Sequence, residues 1–297
     1  KKTSGARESS AGDDFHLLWA GRKALKLLLP NAKLKALGVE GPSKEEAEYL
    51  DPEGDKFLGV DLAEYLGGED FNTADHVVLS QLKYSTRSPD KDWTAVRLCE
   101  GKDNTSRGSV IHRLAQAFKR YYATYGREAV LGKLQLKLVS NRPVSESFQN
   151  ALRAAKQVLS NNSLQTSTEN LFHALRENGD AEIDRVYKAS EVVSDAFTVF
   201  LWILDISDCG EQSRFGQRIE LVKELGCYKV GEVQTQYRQL KDLIWDRMMP
   251  EAWTQPLLTK HDILPVFGLS TYRNAYPAEP KFELPSKVIK RKEASEL

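Results

Sequence analysis

Two apolar runs in this chain end in side chains that can do chemistry. One reads Phe57-Leu58-Gly59-Val60-Asp61-Leu62-Ala63-Glu64-Tyr65, the other His76-Val77-Val78-Leu79-Ser80-Gln81-Leu82-Lys83-Tyr84-Ser85. Gly67-Gly68 and the turn residues Asp70–Thr73 separate them, and the pattern predicts two successive β-strands. In a strand, residues i and i+2 share a face, so Gln81 and Lys83 point one way and Leu82 and Tyr84 the other. Asp61 offers a carboxylate oxygen, Gln81 an amide oxygen, and the Leu82 carbonyl lies between Gln81 and Lys83. Hard divalent cations such as Mg²⁺ or Mn²⁺ take oxygen donors of this kind. Lys83 can then orient or deprotonate an attacking water, or stabilise charge on a phosphate. That is the least equipment a phosphodiester hydrolase requires. The rival reading is structural: an Asp61–Lys83 ion pair, because an unpaired charge in an apolar strand is costly.

Other residues are lesser candidates. Glu40 ends an apolar strand at Leu34–Glu40, before Gly41-Pro42, and is either a further metal ligand or a simple strand end. Glu64 lies three residues from Asp61 and so falls on the opposite strand face. His16, near the start of the first helix, can contact phosphate, act as a helper base, or simply pack. Asp13 or Asp14 can cap that helix. Tyr84, Ser85 and Thr86 follow the lysine and can reach the phosphate backbone. Arg142, in the turn Ser140-Asn141-Arg142-Pro143, can bind phosphate or hold the strand end. Arg113, Lys119 and Arg120 form either a phosphate-facing side of their helix or a solvated face. His76, His112, His173 and His261 share no ligand spacing. Trp202, Trp245 and Trp253 sit in apolar helical stretches and are expected in the core.

These groups must be positioned by a framework, and the pattern supplies one. Residues 1–12 are rich in Ser, Gly and Ala and read as a tether. A helix follows from Phe15 to Pro30. After the strand at Leu34–Glu40, residues Lys44–Asp55 read as an exposed charged loop. Residues 85–105 are polar. Ser109 opens a long helix whose Leu114, Phe118, Tyr121 and Tyr125 repeat at helical spacing. Next comes an alternating strand, with Leu134, Leu136 and Leu138 on one face and Lys133, Gln135 and Lys137 on the other. A third helix spans about Ser145 to Leu159. The order α-β-β-β-α-β-α predicts an α/β fold, a mixed sheet with helices on its faces, over residues 13–160. Beyond Asn161, the stretches Leu171–Glu177, Ser190–Ile206, Arg214–Leu225 and Val233–Met249 read helical and no alternating strand stands out. Residues 161–270 are therefore expected to be an all-helical extension, and 271–297, with Pro277, Pro280 and Pro285, a linker.

Composition narrows the class. The chain has 297 residues, 41% of them hydrophobic, enough for a sizeable core. Cys99, Cys209 and Cys227 show no metal or disulfide spacing, which favours free thiols in a reducing cytoplasm. No apolar run approaches the roughly 20 residues of a membrane helix. Both ends read as cuts through a longer chain. The net charge of zero conceals a pattern. Residues 40–75 hold twelve acidic and two basic residues, and residues 101–160 eleven basic and three acidic. Such an arrangement suits a metal site beside a phosphate-binding surface.

The run Asp61 … Gln81-Leu82-Lys83 within these elements resembles the PD-(D/E)xK nuclease superfamily, in its Mrr-like Q-x-K version. Further blocks resemble the double-stranded DNA endonuclease domain of bacterial antiphage effectors. They are Gly12-Asp13-Asp14-Phe15-His16-Leu17-Leu18-Trp19-Ala20, Gly38-Val39-Glu40-Gly41, Val60-Asp61-Leu62-Ala63-Glu64-Tyr65, Gln81-Leu82-Lys83-Tyr84-Ser85-Thr86 and Ser140-Asn141-Arg142-Pro143. The likeness covers roughly residues 10–160. It implies a restriction-endonuclease-like sheet, Mg²⁺ or Mn²⁺ as cofactor, and double-stranded DNA as substrate, cut with little sequence specificity. Asp61 would be the metal-binding acid, Gln81 would stand in place of the second acid, Lys83 would be the catalytic lysine and Glu40 an additional acidic ligand. Val60 replaces the motif's proline. Gln81 removes one negative charge, which makes metal affinity lean on Glu40. Such domains accompany cyclic-oligonucleotide signalling or precede STAND-type NTPases. The resemblance thus implies a bacterial cytoplasmic effector, control by homo-oligomerisation and a C-terminal regulatory NTPase domain. Two alternatives stay open: a catalytically weak DNA-binding or assembly module, and a restriction-type, single-strand or RNA nuclease.

Overall fold

The computed structural model describes residues 5–50, 59–101, 105–161, 168–177, 180–210, 213–228 and 231–269. Phe57 and Leu58, expected to open the second strand, and the expected linker 271–297 lie outside the described residues. In chain order the elements are α1 (Gly5–Leu25), β1 (Leu34–Val39), α2 (Lys44–Leu50), β2 (Leu62–Leu66), β3 (His76–Lys83), α3 (Ala95–Cys99), α4 (Val110–Lys133), β4 (Leu134–Ser140) and α5 (Glu146–Asn161). They continue with α6 (Thr168–Glu177), α7 (Ala181–Ser190), α8 (Ser194–Ile203), β5 (Leu204–Cys209), α9 (Arg214–Gly226), α10 (Val233–Met248), β6 (Leu257–Thr259) and α11 (Lys260–Ile263).

The fold is α/β, as expected: one six-stranded mixed sheet, ordered β5-β4-β3-β2-β1-β6, with helices on both faces. β1, β2 and β3 form an antiparallel meander, and β6 adds antiparallel to β1. β4 lies parallel to β3 and β5 parallel to β4, so each needs a crossover, supplied by helices. Strand alternation splits the apolar residues between two cores. Ala63, Tyr65, Val77, Leu79, Leu136 and Leu138 face Leu114, Phe118, Phe148, Val186 and Phe200 from α4, α5, α7 and α8. Leu37, Val39, Leu62, Leu82 and Val139 face Phe15, Leu18, Leu221, Leu240 and Ile244 from α1, α9 and α10. The segment after Asn161 therefore helps to build both layers.

Ser109 caps α4 as expected, its hydroxyl accepting from the His112 N–H. Three expectations are corrected, and one stretch left open is filled. Helix α1 already runs from Gly5, so the tether expected at 1–12 is partly helical, and Asp13 and Asp14 lie inside the helix rather than capping it. Lys44–Leu50 is not an exposed loop: α2 forms there, because Glu46 turns inward and is only 4% exposed. The polar stretch 85–105 contains α3, capped by Thr94. The region 161–270 is not wholly helical, since β5 and β6 extend the sheet at both edges. β5 gave no alternation signal because its polar Asp205 and Asp208 are used in a lateral ion pair, with Lys137 of β4 at 3.2 and 2.8 Å. β6 has three residues, too few for periodicity to register.

Candidate active site

The site gathers where β1 ends, β2 begins and β3 ends. Asp61, immediately before β2, is tied to both neighbours. Its N–H donates to the Ser80 carbonyl and its own carbonyl accepts from the Glu40 N–H, both at 2.9 Å. The β2–β3 register pairs Leu62 with Ser80, and one step further sets Asp61 opposite Gln81. Opposite residues in an antiparallel pair share a face, so the expected convergence of Asp61, Gln81 and Lys83 is the geometry of the ladder itself. The Leu82 N–H donates to Asp61 Oδ2 at 2.6 Å, which fixes the carboxylate over the strand end.

Among the described residues no ion pair joins Asp61 to Lys83, so the rival reading of these two as a structural salt bridge is not what forms. Lys83 is held in partial burial instead. Burial pushes its ammonium below the ordinary lysine value, Asp61 and Glu40 pull it back up, and Arg113 of α4 lowers it further. Gln81 is fully buried, and among the described residues neither its Oε1 nor its Nε2 has a hydrogen-bond partner. A buried amide left unmatched costs about 1–3 kcal/mol and calls for an explanation.

His16 is the residue that pattern reading placed least well. It reaches from α1 to the same strand end. Its Nε2 lies 3.2 Å from the Leu82 carbonyl oxygen and 3.9 Å from Asp61 Oδ2, and its Nδ1 3.6 Å from Glu40 Oε1. Burial disfavours the imidazolium, but the Glu40 contact and the charges of Asp61 and Glu40 outweigh it, and the pKa lies above 6.5. Glu40 adopts φ 58°, in the left-handed region rare for a residue with a Cβ, just before Gly41. That turn is where β1 meets the Asp61 carbonyl, and strain of this kind collects at functional sites.

The remaining candidates divide. Arg113 sits half-buried in the first turns of α4, close enough to bias Lys83. Lys119 faces Glu191 at the junction of α7 and α8 rather than the site. Arg120, two turns after Arg113, is half-buried and already engaged within the chain. Glu64 lies on the opposite face as expected and is bound by Lys23 at 2.7 Å. Tyr84 stacks on Phe15 with centroids 5.2 Å apart. Ser85 is clamped by Asn141, whose Oδ1 accepts from the Ser85 N–H at 2.8 Å and whose Nδ2 donates to its carbonyl at 2.9 Å. Arg142 takes the second of its two expected roles and holds the strand end. It is 6% exposed, donates to the Lys91 and Asp92 carbonyls, and lies 4.4 Å from the Trp93 ring centroid. Asp14 binds Lys241 and Arg214. Of the tryptophans expected in the core, Trp202 is partly buried against it and Trp245 is 44% exposed.

Gly59 sets the approach to Asp61, a role no spacing in the sequence signals. Its φ is +126°, and a Cβ there would stand 2.8 Å from Arg113 Cβ and 2.9 Å from the Arg113 carbonyl oxygen. Gly59→Ala is therefore expected to displace Asp61. The expected result is about a 10–100-fold loss of any metal-dependent activity, with a stability cost of about 1–3 kcal/mol. Rate and melting temperature, measured together, check it; an unchanged rate refutes the role.

The donor set fits a divalent cation in kind. Asp61 and Glu40 supply carboxylates, and Gln81 supplies an amide oxygen that has no hydrogen-bond partner among the described residues. The Leu82 carbonyl is shared, because His16 Nε2 already approaches it at 3.2 Å. Among the described residues no cluster of three or more His, Cys, Asp and Glu could hold a metal by itself, so the amide and carbonyl donors matter. Among the described residues no helix is long and apolar enough to cross a membrane. Compared with known proteins, the chain matches no family model and no curated protein.

Proposed function

We propose that this chain is a metal-dependent endonuclease that hydrolyses phosphodiester bonds of double-stranded DNA with little sequence specificity. The observation that carries the reading is Gln81: a fully buried amide, unmatched among the described residues, directly across the ladder from Asp61 and two residues before a lysine of lowered pKa. An unmatched donor group beside a carboxylate and a destabilised ammonium is what a site awaiting a cation and a phosphate requires. Asp61, Glu40, Gln81 and the Leu82 carbonyl would hold Mg²⁺ or Mn²⁺. Such an ion supplies Lewis-acid polarisation of the phosphoryl oxygens and a more acidic water. Lys83, less costly to deprotonate than an ordinary lysine, would when neutral take a proton from the attacking water, or when charged orient that water and offer positive charge to the attacked phosphate. His16 holds the Leu82 carbonyl and Glu40 from the side of α1.

The choice of duplex DNA rests on the resemblance set out above. So do the wider roles: effector of a bacterial antiphage system, activation by self-association, and a regulatory NTPase domain in the same longer protein. The neutral Gln81 favours one second reading, a weakly catalytic DNA-binding module, because a missing carboxylate lowers metal affinity. The experiment that separates them incubates linear and supercoiled duplex, single-stranded DNA and RNA with the protein at high concentration, with Mg²⁺, Mn²⁺ or EDTA. Duplex degradation that requires metal and stops with EDTA is expected. Duplex binding without cleavage under every condition would favour the second reading, and preferential loss of RNA or single strands would replace the substrate.

A further inference from the structure

The amino terminus of α9 stands at the same end of the sheet as the site. Lys83 of β3 pairs with Ser140 of β4, Ser140 pairs with Cys209 of β5, and α9 begins a few residues later at Arg214. There, Asp14 of α1, two residues before His16, meets cations from two other helices. Lys241 Nζ of α10 lies 3.0 Å from its Oδ1, and Arg214 Nη1 lies 3.5 Å from its Oδ2. Arg218, one turn after Arg214, stands 5.3 Å over the Tyr237 ring, with Lys241 5.8 Å from the same ring. Arg238 is exposed, three residues before Lys241 and on its side of the helix. Among the described residues neither Arg218 nor Arg238 forms an ion pair. Phe215, between Arg214 and Arg218, is 71% exposed.

Arg214 and Lys241 share the one Asp14 carboxylate, Arg218 and Arg238 have no ion-pair partner among the described residues, and a large aromatic standing in water does nothing for the fold. Three of the cations are arginines, whose planar fork matches phosphate oxygens, and arginines interleaved with an exposed aromatic are a footprint of nucleic-acid binding. We propose that the first turns of α9 and the facing side of α10 carry the backbone of a nucleic-acid duplex beside the site. Arg214, Arg218, Arg238 and Lys241 contact phosphates, and Phe215 lies against sugar and base. This rests on the nuclease reading for the choice of ligand, and it assigns substrate binding to a region in which the sequence pattern shows only helices.

The test uses the full chain carrying Lys83→Ala, so that binding is measured without cleavage. A labelled duplex of about 25 base pairs is titrated at several salt concentrations, with and without Arg214→Gln/Arg218→Gln/Arg238→Gln. Each phosphate contact contributes about 0.9 to the slope of log K against log salt. The triple variant is expected to lose up to about 2.7 of slope and to bind at least about ten-fold more weakly near physiological salt. Arg238→Gln alone, at an exposed position, is expected to lose about 0.9 and guards against misfolding of the triple variant. Slopes unchanged in both variants would overturn the proposal, as would parent binding to polyglutamate as tight as to duplex, which would indicate an acidic protein partner. Wild-type cleavage is followed in parallel. Duplex binding that the variants weaken, without any cleavage, removes the nuclease reading and keeps this surface; cleavage with unchanged slopes does the reverse.

Discussion

Lys83→Ala is expected to slow duplex cleavage by about 10²–10⁴-fold, the usual worth of a positioned proton-transfer group or charge stabiliser. Duplex affinity should stay within about two-fold, because one phosphate contact at most is lost. Melting temperature should hold or rise. Burial lowers the Lys83 pKa in the fold, so at neutral pH the native state pays to keep this ammonium charged, and alanine relieves that penalty. Lys83→Arg should not rescue, since a guanidinium cannot give up a proton at working pH. Asp61→Asn should lose activity at least as severely and also raise the metal concentration needed for any residual rate. A Lys83→Ala protein that cuts as fast as wild type would mean that the activity belongs to something else and that this lysine has no part in it.

The second large effect is on stability, at Glu46. Its carboxylate is buried and accepts from the Tyr65 hydroxyl at 2.9 Å, from the Tyr121 hydroxyl at 2.7 Å, and from the Phe71 N–H. Both tyrosines are themselves fully buried. Glu46→Ala would strand three donors in the core and release α2 from the sheet, a loss of about 3–5 kcal/mol. Chemical denaturation measures it, and a change below about 1 kcal/mol would mean that water replaces the carboxylate. The group also carries a pH signature. Burial raises its pKa above the ordinary 4.5 despite the hydrogen bonds that lower it. The native state therefore binds this proton more tightly than the unfolded chain. Its contribution is complete below about pH 4.5 and is lost as the pH rises through the native value. The stability gap between wild type and Glu46→Gln should accordingly widen on going from pH 7 towards pH 4.5.

Much of this was legible in the sequence, for reasons that differ by element. The meander announces itself because its strands are bounded by turn residues, β4 because Leu134, Leu136 and Leu138 alternate with Gln135 and Lys137, and α4 because Ser109 precedes a regular apolar stripe. Asp61, Gln81 and Lys83 were legible because strand alternation and a hairpin-like register translate spacing into adjacency. What stayed hidden depends on contacts distant in sequence. β5 continues directly from α8, through the apolar Ile203-Leu204, with no breaking residue between them. α2 looks like a solvated charge run because its one inward carboxylate, Glu46, finds partners on β2 and α4. The turn at Arg142 leaves it between binding phosphate and holding the strand end, and only the Trp93 ring and the Lys91 and Asp92 carbonyls, about fifty residues away, decide for the second. His16 sits one layer away from β3, and nothing in the spacing of the chain tells how α1 lies across the strand end.

The seating of β6 beside β1 has a consequence for synthesis. Ala36 pairs with Thr259, and the core on that face includes Leu221, Leu240 and Ile244 as well as Leu37 and Val39. Every residue assigned to the metal lies before residue 84, yet the strand that ends in Glu40 has an open edge and an uncovered face until residues up to 259 have been made. At roughly 5–20 residues per second that interval is about 10–40 s. Pairings across such a separation are also slow to form. A nascent chain thus holds all of its proposed cutting groups before it holds the layer that steadies them, so the proposed activity is expected only once the residues up to 259 have been made and packed.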